Sequence, residues 1–273
     1  MINILYKKIK NKLESFTTKK SKMISNKIHT KQDKLKRKTD RRFDGIMIGT
    51  PPPLLSEKDL KVGDVLFCSK SNDDKMSNLI QKTTDGPYTH CAIYFGNNTI
   101  VHMTTRGIKA PNNISDFISE YTYIAVTRCP GLKNPDFELY PIFKKKLIDF
   151  IQSNLDKKVK YNIVGAGLSP LREYKNISKH YAQNQQQKNK VKDVDKKSYF
   201  CSEFILDCFK ATEYIDKDHS YWKADNWTPT GLAEENIFDL VGFMSNNGLH
   251  AVSSQDPHLM GYSYTRARKA FQQ

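Results

Sequence analysis

The stretch Tyr88–His102 limits the possible folds of this chain more than any other part of it. β-forming residues make up both of its arms, Ile93–Phe95 and Thr99–Val101. Between them stands Gly96-Asn97-Asn98, and glycine and asparagine tolerate the positive φ angles of a tight turn. The stretch therefore predicts a β-hairpin and, with the strands expected on either side of it, an antiparallel sheet.

Each arm of this hairpin carries one histidine, His90 and His102. If three residues form the loop, Phe95 pairs with Thr99 and His102 lies opposite Ala92. Because side chains alternate along a strand, His90 then shares a face with His102, about 7–8 Å away on the diagonal. A two-residue loop would shift the register and separate the two rings. Two half-buried histidines without a function are the alternative explanation.

The net charge of +15 is concentrated in residues 1–45, which contain fifteen Lys/Arg and four Asp/Glu, a balance of +11. The rest of the chain carries only +4. A nucleic-acid-binding surface needs a concentrated basic face, so no nucleic-acid partner is expected for the body. With 38% hydrophobic residues and a mean hydropathy of −0.64, the 273 residues suit one sizeable core with polar appendages.

Five cysteines form an odd set without C-x-x-C spacing, which argues against a disulfide framework and a zinc ribbon. They are Cys68, Cys91, Cys129, Cys201 and Cys208. The chain has no run of about 18 apolar residues and no Sec-type signal peptide. We expect synthesis in the cytoplasm, and membrane association and export without a Sec signal stay open.

Residues 1–45 are expected to form a basic N-terminal arm, separate from a catalytic body at 46–273. Ile2, Leu5, Ile9, Leu13 and Phe16 follow helical spacing, with lysines mostly off that face. Such a helix can lie on an anionic membrane surface, dock on the body, or act as a targeting tail. The following residues, 17–43, lose the periodicity and predict a linker that is disordered or loosely helical.

The body alternates short strands with amphipathic helices. Strands are predicted around Val65–Cys68 and Tyr123–Cys129, and a helix follows Pro141. Residues 172–197 are rich in Gln, Asn and Lys and predict a solvated insertion. The last thirty residues show no motif. The fold class expected is α+β, with an antiparallel sheet of about five or six strands packed against helices.

Cys201 stands in the first turn of another predicted helix. Unpaired N–H groups and the helix dipole favour an anion there, and a neighbouring histidine can lower a thiol pKa from about 8.5 into roughly the 3.5–7.5 range. Alone, such a cysteine is usually a small buried hydrophobe. With His90 and His102 it completes a nucleophile, a base and an orienting group. Cys91 adjoins His90 on a strand and therefore points to the opposite face.

These residues together resemble the circularly permuted papain-like thiol hydrolases, the permuted branch of the NlpC-type superfamily. That branch includes YiiX/YaeF-like proteins, poxviral relatives and lecithin:retinol acyltransferase. The resemblance covers roughly residues 58–235. It rests on Gly63–Phe67, Tyr88–Tyr94, Val101-His102, Gly107-Ile108 and Tyr199–Glu203, with Val159–Asn162 and Thr228-Pro229 as secondary signatures.

The resemblance implies a circularly permuted papain-like fold in which Cys201 is the nucleophile, His90 the general base and His102 the orienting polar residue. YiiX-like members tend to have an acidic residue at the third position, and a histidine there resembles the lecithin:retinol acyltransferase branch. The substrate class therefore stays open. No metal or organic cofactor is implied.

The function expected is hydrolysis by acyl transfer on an amide bond of peptide or peptidoglycan type. A lipid acyl hydrolase or acyltransferase at a membrane surface is the alternative, because the basic arm and the apolar residues near Cys201 favour lipid. A non-catalytic papain-like binding module is a third. The expected partner is a substrate with an amide or ester bond, together with an anionic membrane surface for residues 1–45.

Deleting residues 1–45 should remove salt-sensitive binding to anionic liposomes and leave hydrolysis of a soluble substrate intact. Each basic residue near such a surface contributes about 1 kcal/mol, an attraction screened over about 8 Å at physiological salt. Liposome co-sedimentation at rising salt measures the effect, with neutral liposomes as the control. A full-length protein that ignores anionic liposomes at low salt, or a truncated protein that unfolds, would contradict this role of the arm.

Overall fold

The computed structural model describes residues 52–70, 86–110, 113–132, 139–183, 196–235, 237–253 and 256–258. The basic arm at 1–45, with its predicted helix and linker, lies outside these ranges. Everything described beyond Pro52 belongs to the compact unit Pro53–Gln273.

An antiparallel sheet of six strands forms the centre of this unit, in the order β4-β3-β2-β1-β5-β8. Every neighbouring pair in it is antiparallel, so the predicted α+β class and sheet type are confirmed. Its strands are β1 (Val65–Ser69), β2 (Tyr88–Gly96), β3 (Thr99–Thr104), β4 (Gly107–Lys109), β5 (Tyr123–Arg128) and β8 (Asp239–Met244). A separate parallel pair joins β6 (Lys160–Tyr161) to β7 (Ser198–Tyr199).

Helices cover the sheet on both faces, which explains why β1 is a continuous apolar run rather than an alternating one. Val65 and Phe67 of β1 pack in one core with three of the helices, and Leu66 and Cys68 pack in a second core with another. The helices of the first core are α2 (Tyr140–Asp156), α4 (Cys201–Ala211) and α5 (Pro229–Ala233); α1 (Ile114–Ser119) belongs to the second, and α3 spans Ile163–Gln183.

The hairpin between β2 and β3 has the predicted register but a different turn. Asn97 and Asn98 both have positive φ angles, 48° and 59°, which makes a two-residue turn. Gly96 pairs with Thr99, so the predicted Phe95–Thr99 pairing is wrong. Phe95 is an extra residue at a register shift, and this bulge restores the pairing expected from a three-residue loop. As a result, His102 lies opposite Ala92, as predicted.

The expected solvated loop at 172–197 is wrong as far as Gln183, where α3 ends. Two polar residues of this part of α3 bind a segment that is distant in sequence. Arg172 Nη1 lies 3.0 Å from Asp225 Oδ2, and Asn176 Nδ2 donates to a backbone carbonyl of the same loop at 2.9 Å. Composition indicated a loop because these partners are far away in sequence. Residues 184–195 lie outside the described ranges.

The C-terminal part of the chain contributes to the core, which its sequence did not indicate. Strand β8 pairs with β5 at the edge of the sheet. Asp256 is fully buried and accepts hydrogen bonds from the Tyr88 hydroxyl at 2.6 Å and the Tyr123 hydroxyl at 2.9 Å. One carboxylate thus ties the last described segment to two strands.

A buried ion pair fixes the start of β1 against the end of β5. Arg128 donates to the Asp64 carboxylate from Nε at 2.6 Å and from Nη2 at 2.7 Å. Burial raises the pKa of Asp64, and the hydrogen bonds from Arg128 partly offset that rise. Asp64 also accepts from the Lys61 N–H at 2.8 Å, which fits the turn role expected from its sequence context.

The Arg128→Met variant should lose about 3–5 kcal/mol of unfolding free energy, because it leaves the Asp64 carboxyl buried without its main partner. The double variant Asp64→Asn/Arg128→Met should recover part of that loss. Urea denaturation measures both. Lys146→Met, which breaks the exposed Lys146–Glu213 pair, is the matched control and should leave the midpoint unchanged. A single variant as stable as the wild type would contradict the inferred role of the pair.

Candidate active site

Helix α4 begins at Cys201, directly after the short strand β7. Phe200 precedes it with an extended backbone, φ −102° and ψ 172°, and its N–H donates to Glu203 Oε2 at 3.3 Å. Lys196 Nζ binds the other carboxylate oxygen of Glu203 at 3.1 Å. Glu203 therefore closes the first turn of α4, the structural role that the sequence favoured for it, and Cys201 stands at a helix N-terminus as predicted.

The two histidines of the hairpin are in hydrogen-bond contact. His90 Nε2 lies 3.0 Å from His102 Nδ1, and the two rings meet edge to face. Aromatic residues at and just after α1 hold both rings: Tyr121 stacks against His90 at 6.1 Å between centroids, and Phe117 meets His102 edge-on at 5.1 Å. The structure thus brings together the two histidines that the sequence placed on one strand face.

His102 is neutral, so its Nδ1 can accept a hydrogen bond from a protonated His90 Nε2. Burial is the main cause that lowers its pKa from 6.5 to about 3, and the charges of His90 and Lys109 lower it further. When His90 is protonated it donates from both ring nitrogens, so its Nε2–H must be accepted by His102 Nδ1. The other nitrogen of His90, Nδ1, takes no part in this hydrogen bond.

Cys201 differs from the other four cysteines in its electrostatics. Hydrogen bonds from the Cys91 thiol, from His90 and from the Cys91 N–H, together with the charge of His90, lower the pKa of Cys201 well below its usual value. Burial opposes this and does not reverse it. In the other four, burial raises the pKa: Cys68, Cys91, Cys129 and Cys208.

Sequence reasoning missed the part that Cys91 takes in this site. Alternation along β2 correctly sends its side chain away from His90, into the core that the sheet shares with α4. Cys201 belongs to that same core, so its sulfur meets the thiol and the N–H of Cys91. The predicted helix α4 was the signal that could have revealed this contact. It covers the face of β2 opposite the histidines, and Cys91 lies on that face.

Tyr161 of β6 is a second residue of the site without a predicted role. Burial raises the pKa of its phenol well above the usual value, and the charges of Cys201 and Cys91 add to that rise. The phenol therefore stays protonated. Within the described ranges, no group of three or more His, Cys, Asp or Glu side chains is arranged to hold a metal ion.

Folding stability should fall between pH 6.5 and about 3 through the titration of His102. The folded protein keeps this ring neutral, whereas the unfolded chain binds a proton below its ordinary pKa. The stability is therefore present above pH 6.5, is lost as pH falls, and changes no further below about 3. The loss is on the order of 5 kcal/mol. Urea denaturation against pH, with His102→Gln as the comparison, tests this; parallel curves would refute it.

Comparisons with known proteins give one curated relative and one solved structure to report; no family model matches the chain. The probable lipoprotein peptidase YaeF of Escherichia coli K12 is 24% identical over 214 residues, which are 74% of this chain and 73% of YaeF. The metalloprotein YiiX of Escherichia coli O157:H7 aligns with a TM-score of 0.41 and 14% identity, over 67% of this chain and 97% of YiiX.

No helix among the described residues is both long and apolar enough to cross a membrane.

The match to YaeF extends over nearly three quarters of both chains, far beyond the short motifs around the histidines and the cysteine. This similarity supports a place for the chain among the YiiX/YaeF-like proteins.

Proposed function

We propose that this chain is a cysteine-nucleophile hydrolase that works by acyl transfer. The observations that carry the proposal are the His90–His102 hydrogen bond of 3.0 Å on the hairpin and the position of Cys201 at the start of α4, where Cys91 and His90 lower the pKa of its thiol. The similarity to a probable peptidase supports a hydrolase in general terms. The cysteine chemistry is our own inference from the site.

His90 takes the Cys201 proton at Nδ1, and the resulting thiolate attacks the carbonyl carbon of the substrate. The imidazolium then donates the proton to the leaving group, and a thioester with Cys201 remains. Water attacks this thioester with His90 again as base, which releases the acid and restores the thiol. His102 accepts from His90 Nε2 throughout and keeps the ring in the orientation that both transfers need.

Negative charge on the carbonyl oxygen needs donors in the tetrahedral intermediate. The first N–H groups of a helix have no partner within it, and the Cys201 N–H is the first of α4. We assign the oxyanion to this N–H. The helix dipole favours the same charge and acts on the thiolate as well.

We place amide bonds ahead of esters as the substrate, because the relative YaeF is named as a probable peptidase. The order of the groups in the chain, with the histidine hairpin before the nucleophile helix, suits the circularly permuted papain-like arrangement. Hydrolysis of a phospholipid ester is the second candidate. The basic arm at 1–45 is the observation that favours it, since it would bring the enzyme to an anionic surface.

Cys201 should be the fast-reacting thiol with iodoacetamide at a pH of about 6, where an ordinary cysteine is almost fully protonated. Mapping of the labelled site by mass spectrometry tests this. His90→Ala should slow labelling by about 100-fold or more, and His102→Gln should leave a measurable fraction, because an orienting group acts only through the base. Cys208→Ala, which removes another buried thiol of α4, is the matched control and should label as the wild type does.

Hydrolysis by wild type and Cys201→Ala should then be compared on two panels, short peptide amides and phospholipid vesicles. Turnover of peptide amides that is lost in Cys201→Ala supports the amide assignment. Turnover of vesicles alone that is lost in Cys201→Ala supports the lipid alternative. Preferential labelling of Cys68, Cys91 or Cys129 would overturn the nucleophile. Equal labelling of wild type and His90→Ala would show the hairpin histidines to be structural.

A further inference from the structure

The segment Trp227–Thr230, whose last two residues begin α5, contacts both halves of the site. Its first contact is with the nucleophile helix. Ser202, the residue directly after Cys201, is fully buried and donates from Oγ to the Trp227 carbonyl at 2.6 Å. This hydrogen bond fixes the backbone of the first turn of α4 one residue away from the sulfur.

The second contact is with the histidine strand. Thr230 is fully buried, and its Oγ1 both accepts from the Tyr88 N–H and donates to the Tyr88 carbonyl, each at 3.2 Å. Tyr88 stands two residues before His90, at the start of β2. Gly86 packs so closely there that a Cβ on it would lie 2.0 Å from Thr230 Cγ2. The Thr230 side chain thus holds the start of β2 through both the N–H and the carbonyl of Tyr88.

The segment itself is held in place by α3. Glu173 Oε2 accepts from the Thr228 N–H at 3.0 Å, and a Cβ on Gly231 would lie 1.9 Å from Glu173 Oε1. The Thr228 side chain in turn caps α5, with Oγ1 accepting from the Gly231 N–H at 3.0 Å. Because each of these contacts is buried, the segment has little room to shift against either neighbour.

We propose that the segment Trp227–Thr230 sets the separation between Cys201 and His90, and that Thr230 is a positioning residue of the site. The inference rests on the proposed thiol hydrolase function and adds a residue to it. Thr230 does not touch the sulfur or the imidazole. It acts through Tyr88 on the strand that carries His90, while Ser202 holds the helix that carries Cys201.

The size of the expected effect follows from what the Thr230 hydroxyl satisfies. Removing it takes one acceptor from the Tyr88 N–H and one donor from the Tyr88 carbonyl, both in a buried place, which favours a shift of the strand entry. Proton transfer between sulfur and imidazole tolerates little displacement, and a misplacement of about 1 Å can lower a rate about 100-fold.

Thr230→Val keeps the shape of the side chain and removes the hydroxyl, whereas Thr230→Ser keeps the hydroxyl. Iodoacetamide labelling of Cys201 at a pH of about 6 should be at least about tenfold slower in the valine variant and within about twofold of wild type in the serine variant. The pH profile of labelling should shift upward for valine alone, because the thiolate loses its aligned imidazole.

Thr212→Val is the matched control. Its hydroxyl, at the far end of α4, also donates to one backbone carbonyl, that of Phe209 at 2.8 Å, and accepts from one backbone N–H, that of Tyr214 at 3.4 Å. This variant should lose stability as Thr230→Val does and keep the wild-type pH profile. Thermal unfolding of all three variants shows whether an altered profile merely follows a loss of stability.

The outcomes separate this inference from the proposed function. If wild-type Cys201 labels fast, His90→Ala labels slowly, and Thr230→Val has the wild-type pH profile of labelling, the segment Trp227–Thr230 is only structural. The positioning role is then overturned. The same holds if Thr212→Val shifts the profile as much as Thr230→Val. If wild-type Cys201 does not label at all, the thiol function itself fails.

Discussion

The pairing of Ala92 with His102 between β2 and β3 is the contact on which the candidate site depends. A slip of one residue would send the His102 ring to the other face of the sheet, away from His90. A bulge at Phe95 together with the two-residue turn Asn97-Asn98 prevents this slip. The extra residue in β2 brings Ala92 opposite His102. A local detail of the turn therefore determines whether the two imidazoles meet.

Burial gives the two imidazoles different tasks. The environment that lowers the pKa of His102 to about 3 keeps it uncharged at any pH where the protein is expected to work. A neutral His102 ring can accept a hydrogen bond from His90 without taking up the proton itself. The hydrogen bonds of Cys91 and the charge of His90 favour the thiolate form of Cys201. Residues of β2 thus favour the thiolate of Cys201, while burial keeps His102 neutral.

Alternation and helical periodicity were sufficient to predict the sheet type, the Ala92–His102 pairing and helix α2, because each of these depends on residues close in sequence. The bulge at Phe95 was not predicted. The helical part of 172–183 and the buried Asp256 could not be predicted in this way. Their polar side chains find partners in distant segments, namely Asp225 for Arg172 and the tyrosines of β2 and β5 for Asp256. Likewise, the contact of Cys91 with Cys201 depends on how α4 lies on the sheet.

The geometry of the candidate site is therefore a property of the whole fold. Tyr88 and Thr230 are 142 residues apart in sequence, and Ser202 and Trp227 are 25 apart. Contacts of such separation form only after long loops have closed. The hairpin and α4 can each form earlier, since their own hydrogen bonds are local. If Trp227–Thr230 has the positioning role proposed above, the histidines and the cysteine reach their final separation only when this segment has bound both elements.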